Sequence, residues 1–459
     1  MVIKDKAKIV QYISLVGIAL VFFMGFGKEG ALLVGDSNNY ITMNPGREPL
    51  YPLILYVVHC FFNDCIYLNI VILFQALLAV VAVSSFSIYV TIVFRLKPVI
   101  GFIILFFTLI PYWIDTIWFA PHVIRTNYIL SEGITISLYY LFIIVIFHAI
   151  LKKKIQDMIV PIFITVLLVL CRSQMLICMA GCGFAIIYIA WKQKWKVWVM
   201  GIGYLVFGLY LVVACKNMYN YTFIESTEYV FTNKLAILTN VLYASDQEDA
   251  ELFEDPNISL IYKEIYKSMI EEKVNYEFVK DKGMVAIADL QHQSHDIIKY
   301  NILNNVIGRY QKESDVFQEV GEQSQPSYII DTLFSTLLKD NWKQWLWNCI
   351  CLVPIGFMRS IFAARTSMIW FCGIISVTMY TCAIGFMVKG YSVNHKSKEA
   401  IFMLLVLILI TINVGGLALT ILEMTRYLIY NMGLFYIAGF LLLIELTPLK
   451  KRMKSKDNI

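Results

Sequence analysis

The stretch "AIFMLLVLILITINVGGLALTIL", residues 400–422, contains no charged side chain. About 20 apolar residues are enough for an α-helix to cross the hydrocarbon core of a bilayer. Similar runs lie at about 8–27, 67–94, 98–119, 129–150, 157–171, 174–191, 197–215, 367–388 and 427–447. The whole chain is 59% hydrophobic and 15% charged over 459 residues, with a mean hydropathy of +0.68, which a water-soluble domain could not bury. The sequence therefore predicts an all-α polytopic membrane protein with about ten transmembrane helices, in a range of roughly nine to twelve.

Basic side chains mark one side of the membrane. They cluster at both chain ends and in alternate links between the apolar runs, at Lys4, Lys6, Lys8, Arg95, Lys97, Lys152–Lys154, Lys192, Lys194, Lys196, Lys396, Lys398 and in the tail 450–456. Because cytoplasmic loops carry an excess of Lys and Arg, we predict that both termini are cytoplasmic. The net charge of +5 then reports orientation and does not indicate nucleic-acid binding. The first run lacks a small-residue cleavage pattern, so we interpret it as a retained span.

One long polar region, from Lys216 to about Asp340, interrupts the apolar runs. Stretches such as "YKEIYKSMIEEKVNYEFVKDKG" are typical of amphipathic helices, and we predict a folded cap on the outer side, because long domains translocate largely regardless of charge. The apolar segment 341–365 is flanked by aromatic residues and arginines, which favours a helix in the outer interface. These features predict three parts: an N-terminal transmembrane module 1–215 with a first outer loop 28–66, a large extracytoplasmic loop 216–366, and a C-terminal transmembrane module with a basic cytoplasmic tail 367–459.

The first outer loop combines acids, a base and prolines in "GDSNNYITMNPGREPLYPLIL", residues 35–55. Pro49 fits the first turn of a helix, which places Glu48 at the helix start, where the helix dipole accounts for an acid. Asp36 then remains at the membrane surface, with Arg47 nearby in sequence. Asp36 is either a helix cap or solvated turn residue, or a partly sheltered carboxylate that accepts a proton from an attacking hydroxyl.

A second acid stands at the outer start of an apolar run, in "RTNYILSEGITISLYYLFIIVIF". Ser131 is placed to cap this helix, and Glu132 in its first turn would gain from the helix dipole. An acid at this depth is costly if it meets lipid, so the alternative interpretation is that Glu132 faces a polar cavity.

Three arginines accompany these acids on the predicted outer face. Arg125 lies shortly before Glu132, Arg172 interrupts "LVLCRSQMLICMAG", and Arg426 occurs in "LEMTRYLIY". Each arginine singly fits an anchor at the lipid headgroups. Together they suit a ligand that contains phosphate, which guanidinium binds in a bidentate fork.

Familiar catalytic motifs are absent from the sequence. There is no HExxH, Walker loop, GxSxG or GxGxxG, so ATP-driven and nicotinamide chemistry have no sequence support. The histidines of "QHQSHD", His292 and His295, are expected to be solvated instead of binding a metal ion. No cofactor is assigned, and a need for a divalent metal stays open.

The order of these motifs resembles the GT-C superfamily of integral-membrane glycosyltransferases, whose donors are sugars on polyprenyl phosphate. Asp36 with "REPLYPLIL" is similar to the family's acidic first outer loop and loop helix. The stretch "ILSEGITISL" resembles its polar helix start, "LCRSQML" its arginine-bearing hairpin, and "EMTRYLIY" the outer loop before the last span that holds lipid phosphate. Family members often have an acidic pair where this chain has only "GDSNN". Many members also have more than ten spans and a soluble C-terminal domain, and we expect this chain to be of the compact bacterial kind instead.

The resemblance implies an inverting transfer of a sugar from a polyprenyl-phosphate donor to a glycan, lipid or polymer at the outer face of the bacterial plasma membrane. Asp36 would be the base, and Glu132 would position the acceptor. The donor phosphate and lipid would be held by Arg172, Arg426 and Tyr427, with Arg47 or Arg125.

Two other functions remain open. A polysaccharide polymerase or ligase would use a polyprenyl-pyrophosphate glycan instead of a monophosphate donor. A lipid-linked glycan flippase or transporter is less favoured, because transporters usually show repeated halves and broken helices at the middle of the membrane, whereas the candidate residues here gather at one surface.

Overall fold

The computed structural model describes residues 2–44, 46–118, 123–223, 232–317, 326–363, 368–393, 397–420, 425–448 and 453. Over these ranges the chain is helical, and its only paired strand-like contact is a single bridge between Leu32 and Tyr128. The helices are α1 Val2–Gly27, α2 Ser37–Ile41, α3 Leu50–Phe61, α4 Tyr67–Val93, α5 Ile100–Trp118, α6 Glu132–Lys152, α7 Ile159–Cys171, α8 Leu176–Ala190, α9 Trp195–Phe223, α10 Thr232–Tyr243, α11 Pro256–Glu271, α12 Met284–Asp296, α13 Asn304–Phe317, α14 Pro326–Arg359, α15 Ile369–Val393, α16 Lys398–Thr420, α17 Thr425–Leu428 and α18 Met432–Leu446.

Eight helices within the described ranges are long and apolar enough to cross a membrane. These eight helices match eight of the ten predicted runs. The other two runs, 98–119 and 157–171, fall on the shorter apolar segments Ile100–Ile114 and Ile155–Cys171. A multi-pass, all-α membrane protein is therefore confirmed, whereas the count of ten spans stays a prediction. The predicted interfacial segment begins inside α14, a continuous helix that ends at Arg359.

The chain divides into two compact units, of which unit 1 comprises residues 1–227, 360–412 and 429–459. Its centre is α6, which packs against α4, α7 and α8 and buries every residue from Glu132 to Ser137. A helix that is buried on all sides must be apolar or have its polar groups satisfied. The polar start of α6 therefore has to find partners inside unit 1.

Two backbone segments of unit 1 are tied together beside the start of α6. The Leu32 backbone N–H donates to the Asn127 carbonyl oxygen at 2.9 Å, which joins the first loop to the segment that precedes α6. The buried Gln75 side chain of α4 donates to the carbonyl oxygens of Thr126 and Tyr128, at 3.2 and 3.3 Å. Because a buried carbonyl group needs a partner, these bonds hold the first loop and the Arg125 segment in place.

Unit 2 comprises residues 228–359 and 413–428 and is built on α10, α12 and α14, which pack against one another. The predicted amphipathic helix is present as α11, which buries Ile258, Ile261, Tyr262, Ile265 and Met269. This spacing of three and four residues places the apolar side chains on one face. The segment around Arg426 belongs to this unit.

The prediction that the histidine pair of "QHQSHD" is solvated is wrong for His295. Its side chain lies on the inner face of α12 and is only 4% exposed. Burial, with the positive charges of Lys299 and His292, lowers its pKa to about 3. A buried imidazole is kept neutral because its charged form has lost hydration.

We expect mild acid to destabilise unit 2 through His295. The folded-state pKa is lowered from 6.5 to about 3, so the unfolded chain binds a proton that the folded protein does not, and stability is lost as the pH falls below about 6.5. Between pH 7 and pH 5 this one group should cost about 2 kcal/mol of the free energy of unfolding. Urea unfolding of the full chain at both pH values should show a smaller acid loss in His295→Gln. The control is His59→Gln, at an exposed site. The role of His295 is contradicted if its substitution leaves the acid loss of stability unchanged, or if His59→Gln reduces that loss equally.

Candidate functional site

The innermost part of the candidate site is an ion pair between Glu132 and Arg172. Glu132 is the first residue of α6, and Arg172 follows Cys171, where α7 ends. The Arg172 Nη1 atom lies 2.8 Å from the Glu132 Oε1 atom, and the two side chains are only 13% and 4% exposed. Charged groups at such depth require each other, because water no longer compensates them. The two residues that the sequence analysis named separately thus form one ion pair.

Ser131 does not cap α6 as expected. Its side chain makes no capping bond, and its hydroxyl oxygen lies 3.1 Å from the Tyr40 hydroxyl. The same oxygen accepts a long hydrogen bond from Arg172 Nη1 at 3.5 Å. Burial and the negative charge of Glu132 raise the pKa of Tyr40, so its phenol stays protonated near neutral pH. Ser131 and Tyr40 therefore extend the buried pair toward the first loop.

The first loop contributes a second pair, Asp36 with Arg47. The Arg47 Nη2 atom donates to Asp36 Oδ1 at 2.6 Å, and the side chains are 26% and 30% exposed. The Asp36 side chain makes no capping bond to α2, so the simple cap is not seen. The Arg47 guanidinium lies 5.1 Å from the centre of the Tyr40 ring, a cation–π distance. One chain of contacts thus leads from Asp36 through Arg47 and Tyr40 to the Glu132 pair.

Arg125 lies in the same unit and is 8% exposed, in a short helical turn before α6. Its charge acts on the hydroxyl of Tyr430, as do the charges of Arg172 and Glu132. Arg125 therefore belongs to the same electrostatic neighbourhood as the buried pair.

Glu48 takes part in a third ion pair. It joins Lys216 of α9, and the two side chains are 17% and 23% exposed. The sequence assigned Glu48 only to a helix dipole and gave Lys216 no role, because a lysine after an apolar run usually marks a span end. Among the described residues of this site, four basic side chains, Arg47, Arg125, Arg172 and Lys216, accompany three acidic ones, Asp36, Glu48 and Glu132.

Arg426 and Tyr427 lie in unit 2 and contact each other. The Arg426 Nη2 atom donates to the Tyr427 hydroxyl at 2.6 Å, and the guanidinium lies 4.8 Å from the ring centre. The Asn413 side chain donates to the Tyr427 carbonyl oxygen at 3.1 Å. The other predicted site residues, Asp36, Arg47, Arg125, Glu132 and Arg172, all belong to unit 1.

Sequence reasoning named Tyr427 but missed Tyr40 and Tyr51. Tyr40 packs edge-on against Tyr51 at 5.1 Å, and the Glu132 charge acts on the Tyr51 hydroxyl. The only available signal was their position in polar stretches between apolar runs, where an aromatic residue is ordinarily taken for part of the interfacial belt. Among the described residues, no group of three or more His, Cys, Asp or Glu could hold a metal ion.

No protein-family model, curated protein or solved structure matches this chain. The fold and the site together define a multi-pass, all-α membrane protein with a buried carboxylate–guanidinium network.

Proposed function

We propose that the protein is an integral-membrane glycosyltransferase that moves a sugar from a polyprenyl-phosphate donor to a hydroxyl of a cell-surface glycan, lipid or polymer. The observation that carries this proposal is the contact chain from the partly exposed Asp36 to the buried Glu132–Arg172 pair. A base that a substrate can reach, connected to a buried cation, suits the displacement of a phosphate leaving group.

Asp36 is proposed as the general base. Its carboxylate is 30% exposed, so an acceptor hydroxyl can approach it, while Arg47 fixes its orientation. As the acceptor oxygen bonds to the anomeric carbon, Asp36 takes the hydroxyl proton and the bond from that carbon to the phosphate oxygen breaks. Attack from the face opposite the leaving group inverts the configuration.

The remaining residues are proposed to bind and position the substrates. Glu132 is proposed to orient the acceptor, and Arg172 with Arg125 or Arg47 to stabilise the phosphate that leaves. Arg426 and Tyr427 are proposed to bind lipid phosphate, in keeping with the "RY" resemblance. The proposed location is the outer face of the bacterial plasma membrane, with both termini in the cytoplasm and the loop 216–366 on the outer side.

The test is sugar transfer by the purified full chain and its Asp36→Asn variant, with polyprenyl-monophosphate and polyprenyl-pyrophosphate sugars supplied separately. We expect transfer from the monophosphate donor, and a rate about a hundredfold lower in Asp36→Asn, because general-base catalysis contributes at least this much. The control is Asp64→Asn, which removes an exposed carboxylate that pairs with His59. Transfer by Asp36→Asn at the rate of Asp64→Asn would remove Asp36 from this role, and transfer only from the pyrophosphate donor would favour a polymerase or ligase.

A further inference from the structure

The hydroxyl of Tyr430 is a buried polar group that the proposed mechanism leaves unused. The side chain is 0% exposed, and its oxygen makes no hydrogen bond with any part of the chain that the structure describes. A buried hydroxyl without a partner is unfavourable, and native structures rarely keep one. A ligand can supply the missing partner of such a group where the surrounding charges favour its binding.

The charges around this hydroxyl indicate which ligand fits. The charged side chains that act on it are those of Arg172, Glu132 and Arg125. Two guanidinium groups against one carboxylate leave a net positive charge, which favours an anion over a neutral sugar hydroxyl. Tyrosine donates its O–H readily to a charged oxygen, and such bonds are stronger than those between neutral groups.

The neighbouring residues hold Tyr430 in one place. It lies in a short helical turn, Ile429–Asn431, directly before α18. The Tyr139 hydroxyl donates to Asn431 Oδ1 at 2.6 Å, and the Tyr139 and Tyr430 rings meet at 5.9 Å. Tyr139 lies two turns along α6 from Glu132, on the same face of that helix. The turn that presents Tyr430 is thus anchored to the helix that carries the buried acid, as a preorganised site requires.

We propose that Tyr430, Arg172 and Arg125 form an oxyanion subsite in which the Tyr430 hydroxyl donates a hydrogen bond to a phosphate oxygen. The phosphate is a polyprenyl-phosphate headgroup or free phosphate. The inference rests on the proposed function where it assigns this phosphate to the sugar donor. Binding of phosphate to the subsite can be measured without sugar transfer.

The experiment is equilibrium binding to the purified full chain of a polyprenyl monophosphate, of inorganic phosphate, and of the corresponding polyprenol without phosphate. We compare the wild type with Tyr430→Phe and with the control Tyr140→Phe. Tyr140 also has a fully buried hydroxyl without a partner among the described residues, but the group that acts on it is Tyr112, not a charge. Each substitution therefore removes one buried oxygen atom, and the charges of the ion pair act on only the Tyr430 oxygen.

Tyr430→Phe should weaken phosphate binding about tenfold, the loss of one hydrogen bond to a charged oxygen, whereas Tyr140→Phe should change it less than about twofold. Of polyprenyl monophosphate and inorganic phosphate, the natural ligand is identified as the one that binds more tightly and loses affinity in Tyr430→Phe. The inference is overturned if neither phosphate binds, if the polyprenol binds as well as its phosphate, or if both variants behave alike.

A second variant keeps the test decisive if Tyr430→Phe does not fold. Arg125→Lys keeps the charge but loses the bidentate fork, and it should also weaken phosphate binding several-fold. Wild-type binding by Arg125→Lys would then overturn the inference. Tyr430-dependent binding without sugar transfer contradicts only the proposed function, and transfer with Tyr430-independent binding contradicts only the subsite.

Discussion

Replacing Arg172 with alanine should abolish the proposed sugar transfer and lower the free energy of unfolding by about 3 to 5 kcal/mol. The expected loss is large because Glu132 is only 4% exposed and the Arg172 guanidinium lies 2.8 Å from it. Removing one member of a buried ion pair leaves a charge in a medium that no longer compensates it. The same change withdraws a donor from Ser131, which connects the pair to Tyr40.

The matched control is Arg47→Ala, which breaks the partly exposed pair with Asp36. With side chains 26% and 30% exposed, that pair is screened by water and should contribute no more than about 1 kcal/mol. Chemical unfolding of the full chain in detergent measures both variants. The double variant Arg172→Gln/Glu132→Gln should recover much of the stability, because neither buried side chain then carries a charge. The proposed transfer should stay absent, because the guanidinium is still missing. Equal stability of Arg172→Ala and Arg47→Ala would mean that the buried pair does not hold unit 1 together.

The helices could be predicted because their signal is local. An apolar run of about 20 residues reports a membrane-crossing helix whatever it packs against. The run 157–171 shows the limit of that signal, since it is apolar enough but stops at Arg172, where tertiary contacts with Glu132 and Ser131 hold the chain. Whether so short a helix crosses the membrane depends on its neighbours and on the bilayer.

The site could be predicted only one residue at a time. Asp36, Glu132 and Arg172 stand out because charged residues are rare and costly beside apolar runs. The ion pairs could not be predicted, because 40 residues separate Glu132 from Arg172 and 168 separate Glu48 from Lys216. Such contacts arise from helix packing, which no local pattern encodes.

Ser131 and His295 show how tertiary structure overrides a local preference. Ser131 has the sequence position of a helix cap, yet Tyr40 and Arg172 contact its hydroxyl instead. His295 lies in a polar stretch, yet it points inward because helical periodicity places it on the same face as Ile287, Gln291 and Ile298. The burial of a polar residue depends on what its helix packs against.

Gly433→Ala should lower the free energy of unfolding by about 3 kcal/mol, the upper part of the usual range for overpacking. Gly433 lies in the first turn of α18, where this helix packs closely against α5. A Cβ atom there would overlap the Phe107 carbonyl oxygen and lie 2.9 Å from the Tyr140 hydroxyl oxygen. Because Phe107 presents backbone, the clash cannot be relieved by a side-chain rotation. A helix must move instead. The free-energy cost of that movement exceeds the gain of up to about 1 kcal/mol that alanine has over glycine in a helix.

Gly439→Ala is the control on the same helix. The nearest atom to a Cβ there, Met403 Cε, lies at 4.0 Å, an ordinary contact, so helix propensity should leave this variant neutral or slightly more stable. Gly433 also lies three residues after Tyr430, so a shift of α18 should displace the turn that presents the Tyr430 hydroxyl. We therefore expect Gly433→Ala to weaken phosphate binding as well, and Gly439→Ala to preserve it. If Gly433→Ala is destabilised but binds phosphate normally, the start of α18 does not control the position of Tyr430. If both glycine variants are equally stable, the close approach of α5 and α18 is itself wrong.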